Sequence, residues 1–92
     1  MQQINMLLEA VAYFVTCWSE ESQFEDEVLY ICGGNDKQAD SALKILQPVI
    51  RCSIKSFNAF IEGTPEDRKK ANKEYSLAVS DATDALKDLF KV

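Results

Sequence analysis

The densest charge in this 92-residue chain is the run of carboxylates in the segment SEESQFEDE. Five acidic side chains lie within eight residues there, and the nearest basic residue along the chain is Lys37. Uncompensated carboxylates attract a basic protein surface, or stand in for the phosphates of a nucleic acid. We therefore predict a partner-binding surface, against the plainer interpretation of a capped, soluble link between two helices. The predicted partner-binding residues are Glu20, Glu21, Glu25, Asp26 and Glu27.

The segment DRKKANKEY holds a second charged cluster, this time basic. It falls in the first turns of a predicted helix, where positive charge opposes the helix dipole. That misfit suggests a site for a phosphate-bearing ligand at an oligomer interface, which makes an oligomeric ligand binder or sponge the alternative function. The plainer interpretation is a solvated helix face with acids close by. The alternative ligand-binding residues are Arg68, Lys69, Lys70 and Lys73.

Two adjacent glycines, Gly33 and Gly34 in the stretch VLYICGGND, raise the question of a phosphate-binding loop. Phosphate loops space their glycines around the anion, whereas here the glycines are adjacent and Asp36 occupies the place of the anion. Adjacent glycines followed by Asn or Asp are typical of one helix that stops and another that starts. We predict this helix stop, with a strand-turn-helix as the second interpretation and a phosphate site as the third.

Catalysis finds little support in the residue types. The chain has no histidine, which removes the commonest general base and the commonest metal ligand. Cys17, Cys32 and Cys52 follow no CxxC or other nucleophile motif, and we expect buried, free thiols. Three aspartates on one face of the last predicted helix could hold a divalent cation, but a solvated face explains them as well. We expect no enzymatic activity, no cofactor and no metal site.

The N-terminal part of the chain predicts two helices. Apolar residues at helical spacing predict helix one over about 3–18. A capping box formed by Ser22 and Glu25 predicts a short second helix over about 23–32. The competing interpretation is an α+β fold, because the first of these segments is rich in β-branched and aromatic residues. Its β-hairpin lies within about 11–32, with strands at 11–18 and 28–32.

The C-terminal part of the chain predicts a long helical hairpin. An apolar stripe at steps of three and four residues predicts helix three over about 36–62, kinked but not broken at Pro48. Gly63 as a stop, followed by Thr64 as an N-cap, predicts that a last, antiparallel helix begins at once and runs over about 65–90. The stripe of helix three consists of Ala39, Leu43, Leu46, Ile50, Ile54, Phe57 and Ile61.

These elements predict one all-α domain over 1–92, a small helical bundle in which helices one and two pack on the kinked hairpin. Hydrophobic residues make up 47% of the chain and charged residues 27%, which is ordinary for a globular domain. The net charge is −5, and the excess acid lies in residues 1–35, which hold six acids and no Lys or Arg. This balance argues against direct binding to nucleic acid or anionic membranes.

The predicted function is a non-enzymatic, cytoplasmic interaction module, a regulator or inhibitor that occludes a partner protein. A nucleic-acid-binding protein is one such partner. Residues 1–5 carry no Lys or Arg, and polar residues interrupt the apolar run that follows, so we expect neither a signal peptide nor a membrane span. Helix one is apolar around most of its circumference, which predicts a homodimer or higher homo-oligomer. Small acidic inhibitors are common in phages and mobile elements, so a phage origin rests on association alone.

Overall fold

A computed structural model describes residues 2–17 and 20–91, and every element in this part of the chain is a helix. The all-α prediction is confirmed and the β-hairpin is wrong, because the described part of 11–18 and most of 28–32 are helical. Burial of apolar side chains at helical spacing here outweighs the strand preference of β-branched residues. The predicted end of helix one at residue 18 lies outside the described residues. The helices are α1 (Gln2–Thr16), α2 (Glu21–Ile31), α3 (Asp36–Glu62) and α4 (Pro65–Phe90).

The start of α2 differs from the prediction. The helix begins at Glu21, and Glu20 precedes it with extended backbone and no side-chain cap, so the predicted Ser22 capping box is wrong. A cap contributes about 1 kcal/mol, whereas full burial of one large apolar side chain contributes about 1.5–3 kcal/mol. Phe24 and Val28 are both fully buried. We attribute the position of α2 to their burial, which outweighs the preference of Ser22 for the cap.

The two adjacent glycines end α2 as predicted. Gly33 and Gly34 have φ of 69° and 79°, in the left-handed region that glycine adopts without strain. The Gly34 N–H donates to the Leu29 carbonyl at 2.9 Å and the Gly33 N–H donates to the Tyr30 carbonyl at 3.0 Å. This is the Schellman pattern, which satisfies the last carbonyls of a helix. The strand-turn-helix and phosphate-loop interpretations are therefore wrong, since both glycine donors are already used by α2.

Local caps fix the ends of the long hairpin. The Gln38 N–H donates to Asn35 Oδ1 at 3.1 Å and so caps α3. At the turn, the Asp67 N–H donates to Thr64 Oγ1 and the Thr64 N–H donates to Asp67 Oδ2, both at 3.2 Å, which completes a reciprocal capping box. Gly63 has φ −86° and ψ 165°, so it is an extended C-cap and not a left-handed stop.

Helix α3 continues without a break through Pro48, as predicted. The kink itself remains a prediction. Replacing Pro48 with alanine should restore a hydrogen bond to the Lys44 carbonyl and stabilise the fold by about 1–3 kcal/mol, because an interior proline costs a helix about 3 kcal/mol. Urea denaturation followed by far-ultraviolet circular dichroism measures this. A destabilised Pro48→Ala variant would show that the proline geometry is needed for packing.

One hydrophobic core joins all four helices. Helix α1 covers the hairpin on one side and is tied to the end of α2 where Gln3 Nε2 donates to the Ile31 carbonyl at 3.1 Å. The rings of Phe14 and Phe24 stack with their centroids 4.8 Å apart, which joins α1 to α2. The fully buried large side chains of the core are Ile4, Leu7, Val11, Phe24, Val28, Leu46, Val49 and Leu86.

Candidate functional site

The hairpin is longer than the helices that cover it. Helices α3 and α4 have 27 and 26 residues, whereas α1 has 15 and α2 has 11. At about 1.5 Å per residue the hairpin arms are near 40 Å long, and α1 and α2 are near 22 and 16 Å. The apolar stripe of α3 is accordingly buried or partly buried only as far as Ile50. The distal part of the stripe, Ile54, Phe57 and Ile61, is exposed.

We call the exposed large apolar side chains near the end of α3 the shelf. It consists of Ile54, Phe57, Phe60 and Ile61, whose side chains are 44, 42, 70 and 59% exposed. Scattered single apolar side chains are ordinary at a protein surface, but four large ones within eight residues of a single helix form a patch, and such patches mark interaction sites.

The end of α1 meets the shelf. Residues from both arms of the hairpin and from the last turns of α1 line a cavity of about 310 Å³, with Phe57 and Phe60 on its α3 side and Tyr75 on its α4 side. Val15 and Thr16 line the same cavity from α1. The shelf is therefore bounded at one end by the last turn of α1.

The start of α2 brings acidic side chains to the same place. Glu21 and Glu25 are exposed and line a cavity of about 320 Å³ together with Ile54 of the shelf. Glu20 precedes them directly and is exposed. We call these three residues the acidic rim. No acidic side chain of α2 forms an ion pair with another described residue. Phe14, Phe24, Leu43 and Ile50 supply the other apolar side chains of this cavity. Gln47 is a further polar residue in its lining, and Arg51 is its one basic residue.

The other two predicted acids lie elsewhere. At about 100° per residue, Asp26 projects away from the buried face that contains Phe24 and Val28. Glu27 is half-buried and lines a cavity of about 240 Å³ on the α1 side of α2, together with Glu9. The structure thus brings Glu21 and Glu25 to the shelf, with Glu20 next to them in the chain, and it separates Asp26 and Glu27 from the shelf.

Arg68 of the basic cluster is used within the fold. Its Nε donates to the Ala59 carbonyl at 3.3 Å, and its guanidinium lies 5.7 Å from the ring centroid of Phe60. A cation at this place complements the negative end of the α3 dipole. Lys69, Lys70 and Lys73 are exposed and line none of the cavities of about 240, 310 and 320 Å³. The four basic residues therefore do not converge on one concave site.

Neither the three cysteine thiols nor the aspartates of α4 form a catalytic or metal-binding arrangement among the described residues. Burial raises the pKa of the Cys32 thiol, which disfavours the reactive thiolate. Cys52 is half-buried, and Cys17 is exposed, so the expectation of a buried Cys17 is wrong; it lies just past the end of α1. Within residues 2–17 and 20–91, no three acidic or cysteine side chains are grouped as metal ligands. That holds also for the predicted face of Asp81, Asp84 and Asp88.

The shelf is the feature that the sequence interpretation missed. The stripe of α3 reads as one continuous apolar face, and nothing local distinguishes Ile50 from Ile54. A signal was nevertheless present in the predicted lengths, because a first helix of about 16 residues cannot cover a stripe that extends from Ala39 to Ile61. Comparing helix lengths before assigning the core would have found it.

The chain matches no protein-family model, and no curated protein or solved structure shows significant similarity to it. None of the described helices is long and apolar enough to cross a membrane. What the fold and surface define is a class: an all-α bundle whose helical hairpin projects beyond its covering helices, with an apolar shelf beside an acidic rim.

Proposed function

We propose that the protein is a non-enzymatic interaction module of the cytoplasm, a regulator or inhibitor that occludes the surface of a basic partner protein. The observation that carries this proposal is the exposed acidic rim, Glu20, Glu21 and Glu25, beside an exposed apolar patch. Protein interfaces commonly combine an apolar centre with a polar rim, and charge complementarity speeds encounter.

The distribution of charge favours the acidic rim over the basic cluster as the binding surface. Residues 1–35 hold six acids and no base, whereas the remainder holds nine acids and ten bases. An uncompensated group of charges has a field that reaches beyond a single contact, while interspersed charges of both signs cancel at a distance. Arg68 is in addition held by the Ala59 carbonyl and the Phe60 ring.

A nucleic-acid-binding protein is the partner that this charge suits best. Such proteins carry Lys and Arg side chains arranged to contact phosphates. Carboxylates on a rigid helix could occupy the same contacts and exclude the nucleic acid. Inhibition would then weaken as salt rises, in parallel with the loss of electrostatic attraction.

The test is charge reversal at the acidic rim. Glu20, Glu21 and Glu25 are replaced by Lys, and the control variant carries the same change at Asp81, Asp84 and Asp88, which are exposed on α4. The partner is captured from host lysate by the parent protein, identified by mass spectrometry, purified and measured by biolayer interferometry. We expect association at low salt to slow by about tenfold or more for the rim variant and much less for the control, although both change the net charge equally.

Thermal unfolding of both variants controls for stability, because Lys in the first turn of α2 opposes the helix dipole. A folded rim variant that binds as fast and as tightly as the parent would refute the proposal. Binding that is lost when Lys69, Lys70 and Lys73 become alanine, and not when the rim is reversed, would favour the phosphate-ligand alternative.

Self-association remains a prediction, but the structure removes its original motive. Helix α1 buries Ile4, Leu7 and Val11 in the core, so α1 does not present an apolar surface around most of its circumference. Light scattering coupled to size exclusion at about 100 μM distinguishes a 10.4 kDa monomer from a dimer. A monomer at that concentration would contradict the predicted homodimer.

A further inference from the structure

The shelf and the acidic rim form a step in the molecule. The last turns of α1 line one cavity with Phe57 and Phe60, and the first turn of α2 lines another with Ile54. Of the four shelf residues, Ile61 lines neither of these two cavities. The apolar shelf forms one side of the step, and the acidic rim lies beside the Ile54 end of the shelf.

We propose that this step holds an amphipathic helix of the partner protein, with apolar side chains on the shelf and Lys or Arg side chains against the acidic rim. The inference rests on the proposed function and specifies the chemistry of the partner segment. It makes the contact a helix laid along a groove, one of the recurring ways in which proteins bind peptides.

The spacing of the shelf residues fits a helix as the occupant. Ile54, Phe57 and Ile61 are separated by three and four residues, so they form one row on α3, about 10 Å long at 1.5 Å per residue. Helices that pack together interlock rows of this kind. Phe60 lies beside the row and lines the cavity at the end of α1. A partner helix therefore meets a row of side chains with a hollow next to it, and not a flat surface.

The three carboxylates of the acidic rim outnumber Arg51, the one basic side chain in the same cavity, while Arg68 lies at the other end of the shelf over Phe60. The excess of acid at the rim favours a basic protein segment as the occupant. The acidic rim repels a nucleic acid and an anionic lipid surface alike. Charge does not favour a second copy of this chain in the same way. Parallel packing of two shelves would place rim against rim, and antiparallel packing would place each rim against residues 62–70 of the other copy, which hold three acids and three bases and so offer no net positive charge.

The direct test uses a synthetic probe of the stated chemistry. A fluorescein-labelled peptide of about 18 residues, composed of Leu and Lys with Leu at one helical face, is titrated with the protein and followed by fluorescence anisotropy. One control peptide has the same composition with its Leu residues scrambled off the face, and another has Glu in place of Lys. We expect binding of the amphipathic basic peptide, and binding at least about tenfold weaker for either control.

Matched variants locate the contact on the protein. Replacing Phe57 and Ile61 by Ser should weaken peptide binding by about tenfold or more, as expected for anchor positions. Replacing Tyr30 and Leu77 by Ser removes two side chains that are 75 and 58% exposed elsewhere, and should change binding less than about twofold. All four positions are exposed, so both variants should fold, and circular dichroism checks this.

The outcomes separate this inference from the proposed function. If rim reversal abolishes partner binding while Phe57→Ser and Ile61→Ser leave peptide and partner binding unchanged, the shelf inference is overturned and the proposed function stands. If neither change matters for the partner, both fail. A dimer that the shelf replacements dissociate would show that a second copy occupies the step, and equal binding of the scrambled peptide would show attraction by charge alone; either result overturns the inference.

Discussion

Replacing Phe24 with alanine is expected to lower the free energy of unfolding by about 3–5 kcal/mol, the range for a fully buried phenylalanine. The side chain is 1% exposed and stacks on Phe14, so its removal leaves a cavity between α1 and α2. A domain of this kind has a total stability of about 5–15 kcal/mol, so the loss is a large fraction of it. Urea denaturation measures the change.

A control for the first prediction lies on the same helix. Tyr30 is 75% exposed, and Tyr30→Ala should change stability by less than about 0.5 kcal/mol. Because Phe24 holds the helix that carries the acidic rim, Phe24→Ala should also weaken partner binding at temperatures where the fold survives. A Phe24→Ala variant as stable as Tyr30→Ala would mean that α2 is not packed as described.

Replacing Gly63 with alanine should destabilise the hairpin by about 1–3 kcal/mol, the cost of forcing atoms into filled space. A Cβ at this position would lie 2.6 Å from the Ala59 carbonyl oxygen and 2.9 Å from the Ala59 Cα. Since both are backbone atoms, the end of α3 must shift to make room. Thermal unfolding detects this, with about 4–8 °C in Tm for each 1 kcal/mol at this size.

Gly34 provides the contrasting control, because glycine is needed there for a different reason. A Cβ on Gly34 meets nothing within 4 Å, but the residue has φ 79°. Asparagine adopts left-handed backbone more readily than alanine. We therefore expect Gly34→Asn to be less destabilising than Gly34→Ala, whereas at position 63 asparagine should offer no relief over alanine. If asparagine and alanine differed by the same amount in stability at positions 34 and 63, the different reasons given for the two glycines would be contradicted.

The features predicted correctly from the sequence are those set by local chemistry. The bounds of α3 and α4 follow from Asn35, Thr64 and Pro65, which act through hydrogen bonds or ring geometry within a few residues. The stop at Gly33 and Gly34 is equally local. The start of α2 was misplaced because burial of Phe24, a contact between helices, competes there with the local preference of Ser22.

The candidate site depended on non-local geometry and was predicted only in part. The acidic segment was identified from composition, but sequence proximity did not show that Asp26 and Glu27 turn away from Glu21 and Glu25. The shelf depends on where α1 and α2 end relative to α3, which periodicity within α3 cannot reveal. The basic cluster was identified as a misfit with its own helix dipole, whereas Arg68 serves the dipole of the neighbouring helix through the Ala59 carbonyl.

The Ala59 carbonyl accepts two hydrogen bonds, and these affect how much conformational entropy the hairpin would lose on binding. That oxygen accepts the Gly63 N–H at 2.9 Å and Arg68 Nε at 3.3 Å, while Ser56 Oγ donates to Asn72 Oδ1 at 2.7 Å between the arms. These hydrogen bonds therefore order the Gly63 end of the hairpin in the free chain. Ordering a flexible backbone costs about 1–2 kcal/mol per residue, and a surface that is already ordered avoids that entropy loss on association. A small chain can in this way present a binding surface without folding upon its partner.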